Sequence, residues 1–386
     1  QKEIVEWFTF DAYPPWAQFT FGGRVGAPDE FRVSGHAVVS NCAFKGVPVE
    51  YGEGDVSIVT NVMTYANARV RRPEGMGFGH VVHDFNTQFV YLNVTSSLNP
   101  QAVAKAIGPV SDRFMQQFRI EGVTTSVVHG VLDYGTWTRT DIEADVKGRK
   151  VGMQWCLADE AAFHFRMFGR RVEITAATGT VYNGSAAGQA FFYPVGSDTN
   201  MRYEIMADLG GLDFSRLLQA LRKDTNSMMQ QGILSGKIDV AGFFGQGRGD
   251  TAQGRGWVKV KDGQLFDLYI LGQLSRWLSR LFPGFGSFRQ TDFACTYEIG
   301  DRKVSTSDAV LEGDILSLTG NGEYQFNHSL DYRVQVQPLR AGMIAMVLRT
   351  VTFPVSKLLE FRLIGTVEEP RWRPVNFPKE MFLIFD

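Results

Sequence analysis

Cysteine is scarce: 386 residues hold three, Cys42, Cys156 and Cys295, far apart and odd in number. That set assembles neither a disulfide framework nor a cysteine-based zinc site. An excess of charge of either sign is missing too. The 39 Lys and Arg stand against 41 Asp and Glu, a formal net charge of −2. This leaves no electrostatic footprint for nucleic acid and no polybasic tail for an anionic membrane surface. No uninterrupted apolar run approaches the ~18 residues of a membrane-spanning helix, and no signal-like apolar segment opens the chain. It begins on Gln1 rather than Met and reads as a soluble piece of something longer.

Catalytic phrases are equally sparse. His80-Val81-Val82-His83-Asp84 invites a metal reading, but strand residues three apart point to opposite faces, and glycine and valine around them disfavour a helix. No third ligand stands at a supporting spacing. Gly242 to Gly256 (GFFGQGRGDTAQGRG) lacks the Lys-Ser/Thr ending of a phosphate loop and the strand-to-helix setting of a dinucleotide fingerprint, so it reads as a hairpin loop. Asp159-Glu160 and Glu368-Glu369 read as solvated turns rather than an acid/base pair. No Gly-x-Ser-x-Gly elbow occurs, and no cysteine has a histidine within a recognisable motif. The expectation is a protein that is not an enzyme and holds no cofactor or metal. The sequons at Asn93, Asn183 and Asn327 matter only in a glycosylating secretory pathway.

Gly (41) and Phe (30) are abundant, as twisted strands, tight turns and large apolar faces require. The chain exceeds the ~250 to 300 residues of one compact core, so it predicts two lobes or one elongated sheet. Its organising stretch is Leu316 to Pro338, LSLTGNGEYQFNHSLDYRVQVQP. From Glu323 onward the odd positions are Glu323, Gln325, Asn327, Ser329, Asp331, Arg333, Gln335 and Gln337. The even positions are Tyr324, Phe326, His328, Leu330, Tyr332, Val334 and Val336. Strict period-two alternation makes one polar and one aromatic-rich apolar face, in one long strand or two joined by a tight turn.

The rest of the chain reads as a meander of strands with few helices. Glu3 to Phe21, aromatic-rich and broken by Pro14-Pro15, predicts two short strands or an edge segment. Strands are expected at 31–39, 43–50, 55–60, 67–72 and 89–94, then at 126–138, 140–146, 149–157, 162–167, 171–177 and 188–193. Asn99-Pro100 starts a helix that Gly108-Pro109 stops, and Ser111 caps a second through Phe118. Asp213 caps a helix carrying Phe214, Leu217, Leu218 and Leu221, extending towards Met228-Met229. Further strands are expected at 233–244, 256–261, 293–299, 303–307, 309–312 and 315–336, followed by a short helix at 343–348 and a tail from Phe361. Phe266 to Phe282 is the best helix, with Leu274, Trp277, Leu278 and Leu281 on one side. It either completes a core or borders an open groove, where the flexible exit Pro283-Gly284-Phe285-Gly286 favours the rim.

An apolar-x-Gly-x-apolar phrase recurs, without a fixed period, at Val33–Ala37, Leu234–Ile238, Leu318–Gly322 and Leu363–Val367. It marks repeated strands of one growing sheet, with glycine where curvature or close approach is required.

From Ile233 onward the succession of phrases resembles the C-terminal region of AsmA-like proteins of the Gram-negative envelope. It runs from the Leu-Ser-Gly-Lys-Ile-Asp-Val strand at Leu234 through Gly256-x-Val258-x-Val260-Lys261-Asp262-Gly263-x-Leu265, which leads into the amphipathic helix. Asp308-Ala309-Val310-Leu311-Glu312-Gly313-Asp314 and Gly320-x-Gly322 follow, then Leu363-Ile364-Gly365-Thr366-Val367 with Pro370 and Trp372-Arg373-Pro374. The first 230 residues resemble the upstream strand repeats of such proteins in texture only.

The resemblance implies a mostly β fold: an elongated, strongly curved antiparallel sheet with an apolar groove and a few short amphipathic helices. Residues 1–230 would be upstream strands and residues 231–386 the AsmA-like region continuing the same sheet. It further implies relation to bridge-like lipid transfer proteins, a periplasmic body, and an inner-membrane anchor helix that this chain lacks. The expected function is binding and transport of phospholipid or another acyl lipid, with envelope proteins as partners. Its expected lining is Tyr324, Phe326, Leu330, Tyr332, Val334 and Val336, with Leu274, Trp277, Leu278 and Leu281. The alternative is an envelope scaffold whose apolar face is closed by its own helices.

Overall fold

The computed structural model describes residues 7–10, 14–24, 31–153, 156–195, 201–222, 231–244, 251–281, 291–339 and 359–375. Their 22 strands belong to one antiparallel sheet, joined by a few short helices. The chain forms two compact units, Gln1–Val181 with Gln189–Pro194, and Tyr182–Gly188 with Val195–Asp386.

In the first unit, β1 (Phe8–Phe10) and β2 (Trp16–Gly22) both pair with β3 (Arg32–Phe44), one after the other along the same strand, with Pro14-Pro15 between them. Proline lacks the amide a continuous ladder needs, so the aromatic segment is split. A meander follows: β4 (Val47–Val59), β5 (Val62–Arg72), β6 (Gly75–Asp84) and β7 (Phe89–Ser96). Next come β8 (Phe118–Ile120), β9 (Thr124–Asp133), β10 (Asp141–Met153), β11 (Cys156–Phe168) and β12 (Arg171–Val181), while β13 (Gly184–Pro194) gives Gln189–Pro194 to this unit and its first residues to the other. Hydrogen bonding runs from β3 in order to β7, then β9, β10, β11 and β12, with β8 on the end of β10.

Two differences from expectation have local causes. The strands expected at 140–146 and 149–157 are one strand, β10, because Lys147-Gly148 stays in register opposite Ala162 and Ala161 instead of turning. Asp159-Glu160 lies inside β11 rather than in a turn, and its carboxylates go to different cations, Lys150 and Arg149.

The second unit holds β14 (Met201–Asp213), β15 (Ile233–Phe244), β16 (Gln253–Gly263), β17 (Thr291–Gly300) and β18 (Lys303–Gly313). β19 (Leu316–Gln325), β20 (Ser329–Pro338), β21 (Glu360–Thr366) and β22 (Pro370–Val375) complete it. Each pairs with the next in sequence. β14 and β15 run in register from Met201↔Phe244 to Asp213↔Ile233, so the sheet continues across residue 230. The glycine-rich 242–256 stretch joins two such neighbours, β15 and β16; residues 245–250 lie outside the described residues, as does the helix expected at 343–348.

Tight turns and bulges set the register. Lys45-Gly46, Thr60-Asn61 and Asp301-Arg302 each have two successive positive φ angles, the two-residue hairpin turn whose twist matches the flanking strands. Among the described residues five places carry one extra residue: Tyr65/Ala68 in β5, Thr175/Thr178 in β12, Leu209/Leu212 in β14, Val260/Gly263 in β16 and Thr306/Ala309 in β18. At each, residues three apart in sequence come to share a face, and the local twist increases. Carboxylates hold three of them. Asp55 accepts from Asn67 Nδ2 at 2.8 Å, Asp292 from the Asp262 amide at 2.9 Å, and Asp308 from the amide and hydroxyl of Thr296, both at 2.8 Å.

The helices are short. α1 (Pro100–Ile107) is capped by Asn99, whose Oδ1 accepts from the Gln101 amide at 2.9 Å. α2 (Pro109–Met115) starts at the proline itself rather than after a Ser111 cap, since proline fits the first helical position. It ends before Phe118, which enters β8. Asp213 caps α3 (Phe214–Arg222), accepting from the Arg216 amide at 3.1 Å. The helix expected over 266–282 is shorter: two 3-10 turns, Leu265–Asp267 and Tyr269–Leu271, precede α4 (Gly272–Leu281). Leu268, extended at φ −64 and ψ 135, interrupts what the apolar spacing alone reads as continuous.

Candidate apolar face

Residues paired across an antiparallel ladder lie on the same side of the sheet, so the register defines each face row by row. One row of the second unit crosses nine strands: Ile205, Val240, Gly254, Ile299, Val304, Tyr324, Leu330, Gly365 and Pro370. None is charged. A second row, Leu212, Leu234, Val260, Phe293, Leu311, Leu318 and Val336, crosses β14 to β20, again without charge. The other side is different. Its neighbouring row reads Met206, Asp239, Arg255, Glu298, Ser305, Glu323, Asp331, Ile364 and Arg371.

The first unit repeats the arrangement. Gly35, Val56, Tyr65, Val81, Leu92, Gly130, Ile142, Met167 and Val172 form one row from β3 to β12. Its opposite side carries the ion pairs Arg69–Glu53 at 3.4 Å and Arg166–Asp141 at 3.2 Å. His83 lies on the apolar side, opposite Met63 and Val90, with Nε2 2.9 Å from the Tyr134 hydroxyl and its ring stacked on Phe85. Burial pushes its pKa down. His80 pairs with Asn93 on the other side and is exposed, so the two histidines do not converge. No group of three or more metal-ligating side chains forms among the described residues.

Burial grades along the face of the second unit. The row from Leu212 to Val336 is buried almost throughout. Beside it Leu274 and Leu278 of α4 are fully buried and Trp277 is 6 % exposed. Trp277 stacks on Phe361 with ring centroids 6.0 Å apart. Trp372 ties the helix region to β22, its amide donating to Gln273 Oε1 at 2.9 Å and its indole N–H to the Ile270 carbonyl at 2.7 Å. In the outer row Ile205, Val240, Ile299, Val304 and Tyr324 are only half-buried. Loss of water around the Tyr332 phenol is the main cause of its pKa being pushed up to about 12, and burial raises those of Tyr203 and Tyr297 as well.

Of the residues singled out from sequence, Tyr324, Leu330, Tyr332, Val334 and Val336 share this face through the pairs Tyr324↔Leu330, Gly322↔Tyr332, Gly320↔Val334 and Leu318↔Val336. The alternating stretch is two strands, turning at Phe326-Asn327-His328, so half-buried Phe326 lies in the turn rather than in the ladder. Exposed His328 pairs with Glu368 at 2.8 Å. Leu274, Trp277 and Leu278 are packed against the sheet end rather than open. Leu281 ends α4, and its side chain lies outside the described residues. Sequence reasoning missed the rows on β14 to β18. The signal is alternation interrupted by bulges, as in Ile205-x-Ala207-x-Leu209-x-x-Leu212, where counting by twos loses the phase.

No protein-family model matches the chain, and no curated protein is significantly similar to it.

Proposed function

We propose that the chain binds acyl lipid, phospholipid in the first instance, along the apolar face of its sheet and carries it across the periplasm without catalysing a reaction. One observation carries the reading: the uncharged row from Ile205 to Pro370 is mostly half-buried rather than sealed, while the side behind it is studded with charge. At about 4.8 Å between strands, nine strands span about 38 Å, more than the ~15 Å of hydrocarbon depth that one acyl chain covers in a bilayer leaflet. Exposing a sixteen-carbon chain to water costs about 0.8 kcal/mol per CH₂, on the order of 12 kcal/mol, so transfer through water needs such a lining. Head groups would stay in solvent. No described helix is long and apolar enough to cross a membrane, so inner-membrane attachment through a further segment is part of the proposal.

The second reading, an envelope scaffold with its apolar face closed, draws on the buried packing of Leu274, Trp277 and Leu278. Lipid extraction and mass spectrometry of the purified chain separate the two. Co-purified phospholipid at a defined ratio supports carriage. A lipid-free protein that takes up no fluorescent phospholipid from vesicles overturns it and leaves the scaffold.

A further inference from the structure

The two outer strands of the sheet are treated differently. β22 is short, bounded by Pro370 and Pro374, and carries Arg371 and Arg373; the Trp372 amide is occupied by Gln273 of α4. Prolines, charges and a covering element are the usual means by which an edge is kept from pairing with another chain. β2 has none of them. Its seven residues, Trp16-Ala17-Gln18-Phe19-Thr20-Phe21-Gly22, include no charge and no proline, and all seven are exposed, Trp16 to 56 % and Phe21 to 67 %. Among the described residues it pairs with β3 alone, and no other described strand lies along its outer edge.

We infer that β2 is an interface at which two copies of this chain pair edge to edge, antiparallel, about a two-fold axis through Phe19. The strand is self-complementary in that register. Phe19 meets its own counterpart, Gln18 meets Thr20, Ala17 meets Phe21 and Trp16 meets Gly22, so aromatic stands on aromatic or small residue and polar on polar. Positions paired this way have the same parity, so each outward-facing amide and carbonyl finds an outward-facing group across the axis. Ala17, Phe19 and Phe21 lie opposite Ala37, Gly35 and Val33, on the apolar side of the first unit. A two-fold axis normal to the sheet keeps that side common to both copies, and the uncharged row continues from one chain into the next. A foreign strand would be selected by charge, and this edge offers none. A second copy meets no like-charge penalty and closes the open edge in one step.

Sedimentation velocity over about a hundredfold range of concentration reads the state directly. The wild-type chain is expected to pass from monomer to dimer. Phe19→Lys and Phe19→Glu, each setting like charges against each other at the axis, are expected to remain monomeric, and their equimolar mixture to recover the dimer. That recovery shows both variants are folded at the edge. In the Phe19→Cys chain, oxidation should cross-link position 19 to itself, whereas Phe21→Cys should not cross-link. A wild-type chain monomeric throughout, a Phe19→Lys chain that still dimerises, or a mixture that stays monomeric overturns the proposal.

Discussion

Trp277 of α4 and Phe361 of β21 are both buried, their ring planes 26° from parallel, and this stack fixes the helix on the end of the sheet. Trp277→Ala should therefore cost about 3 to 5 kcal/mol, the range for removing a large aromatic side chain from a core. Denaturant unfolding of the variant measures it, and a loss within experimental error would show that the helix is not held by this contact.

Photo-crosslinking in cells tests where lipid lies. A crosslinker at half-buried position 334 should capture acyl lipid, and one at 277 should capture protein only. Lipid adducts from 277 with none from 334 would move the binding surface to the helix.

Val334 and Gln335 are neighbours on opposite faces of β20. Val334→Glu sets an unpaired ion against Gly320 and Phe361 and should remove bound lipid as well as destabilise the sheet. Gln335→Lys, whose ammonium stands across the ladder from Glu360, should change neither. Lipid content and melting temperature of the two variants, measured side by side, decide the assignment.

Asp133 organises the turn from β9 to β10. Its carboxylate accepts from the Thr136 amide at 3.0 Å and hydroxyl at 2.7 Å, and from the Arg139 amide at 3.2 Å. These bonds, the Thr136 amide first, lower its pKa from 3.8 to about 2. A folded-state pKa below the unfolded value gives stability that is complete above about pH 4 and is lost as pH falls towards 2. Asp133→Asn should flatten the stability-against-pH curve in that window and leave its shape above it unchanged. Urea unfolding at stepped pH reads the difference.

Gly130, at φ +131, sits where a Cβ would stand 2.1 Å from the Asp141 carbonyl oxygen. Gly130→Ala should destabilise by more than about 1 kcal/mol, because both the backbone conformation and the approach of β10 are lost. A variant as stable as wild type would mean the ladder shifts to make room.

Much of the fold was legible because alternation and tight turns are local. The Tyr324 to Val336 pattern announced two faces, and Pro14-Pro15 announced a broken edge. The long strands were not legible where a turn-like dipeptide stays in register. Lys147-Gly148 looks like a hairpin in sequence, yet the facing residues Ala161 and Ala162 of β11 hold it extended. Nor does apolar spacing report backbone angle, so Leu268 interrupts near its start what reads as one helix. The apolar rows on β14 to β18 were hidden by bulges, whose positions depend on the partner strand as much as on the chain that carries them.

Those bulges also govern how the chain can change in length. A strand counts its faces in twos, so inserting or deleting one residue at Val334 would turn every later side chain of β20 to the wrong side. At Gly210-Gly211, Asn67, Asp262 or Asp308 the ladder already accommodates an unpaired residue, and a change of one there is taken up without inverting anything. Tolerance to single-residue insertion should therefore be punctuate, concentrated at a few points inside strands that otherwise admit changes only in pairs.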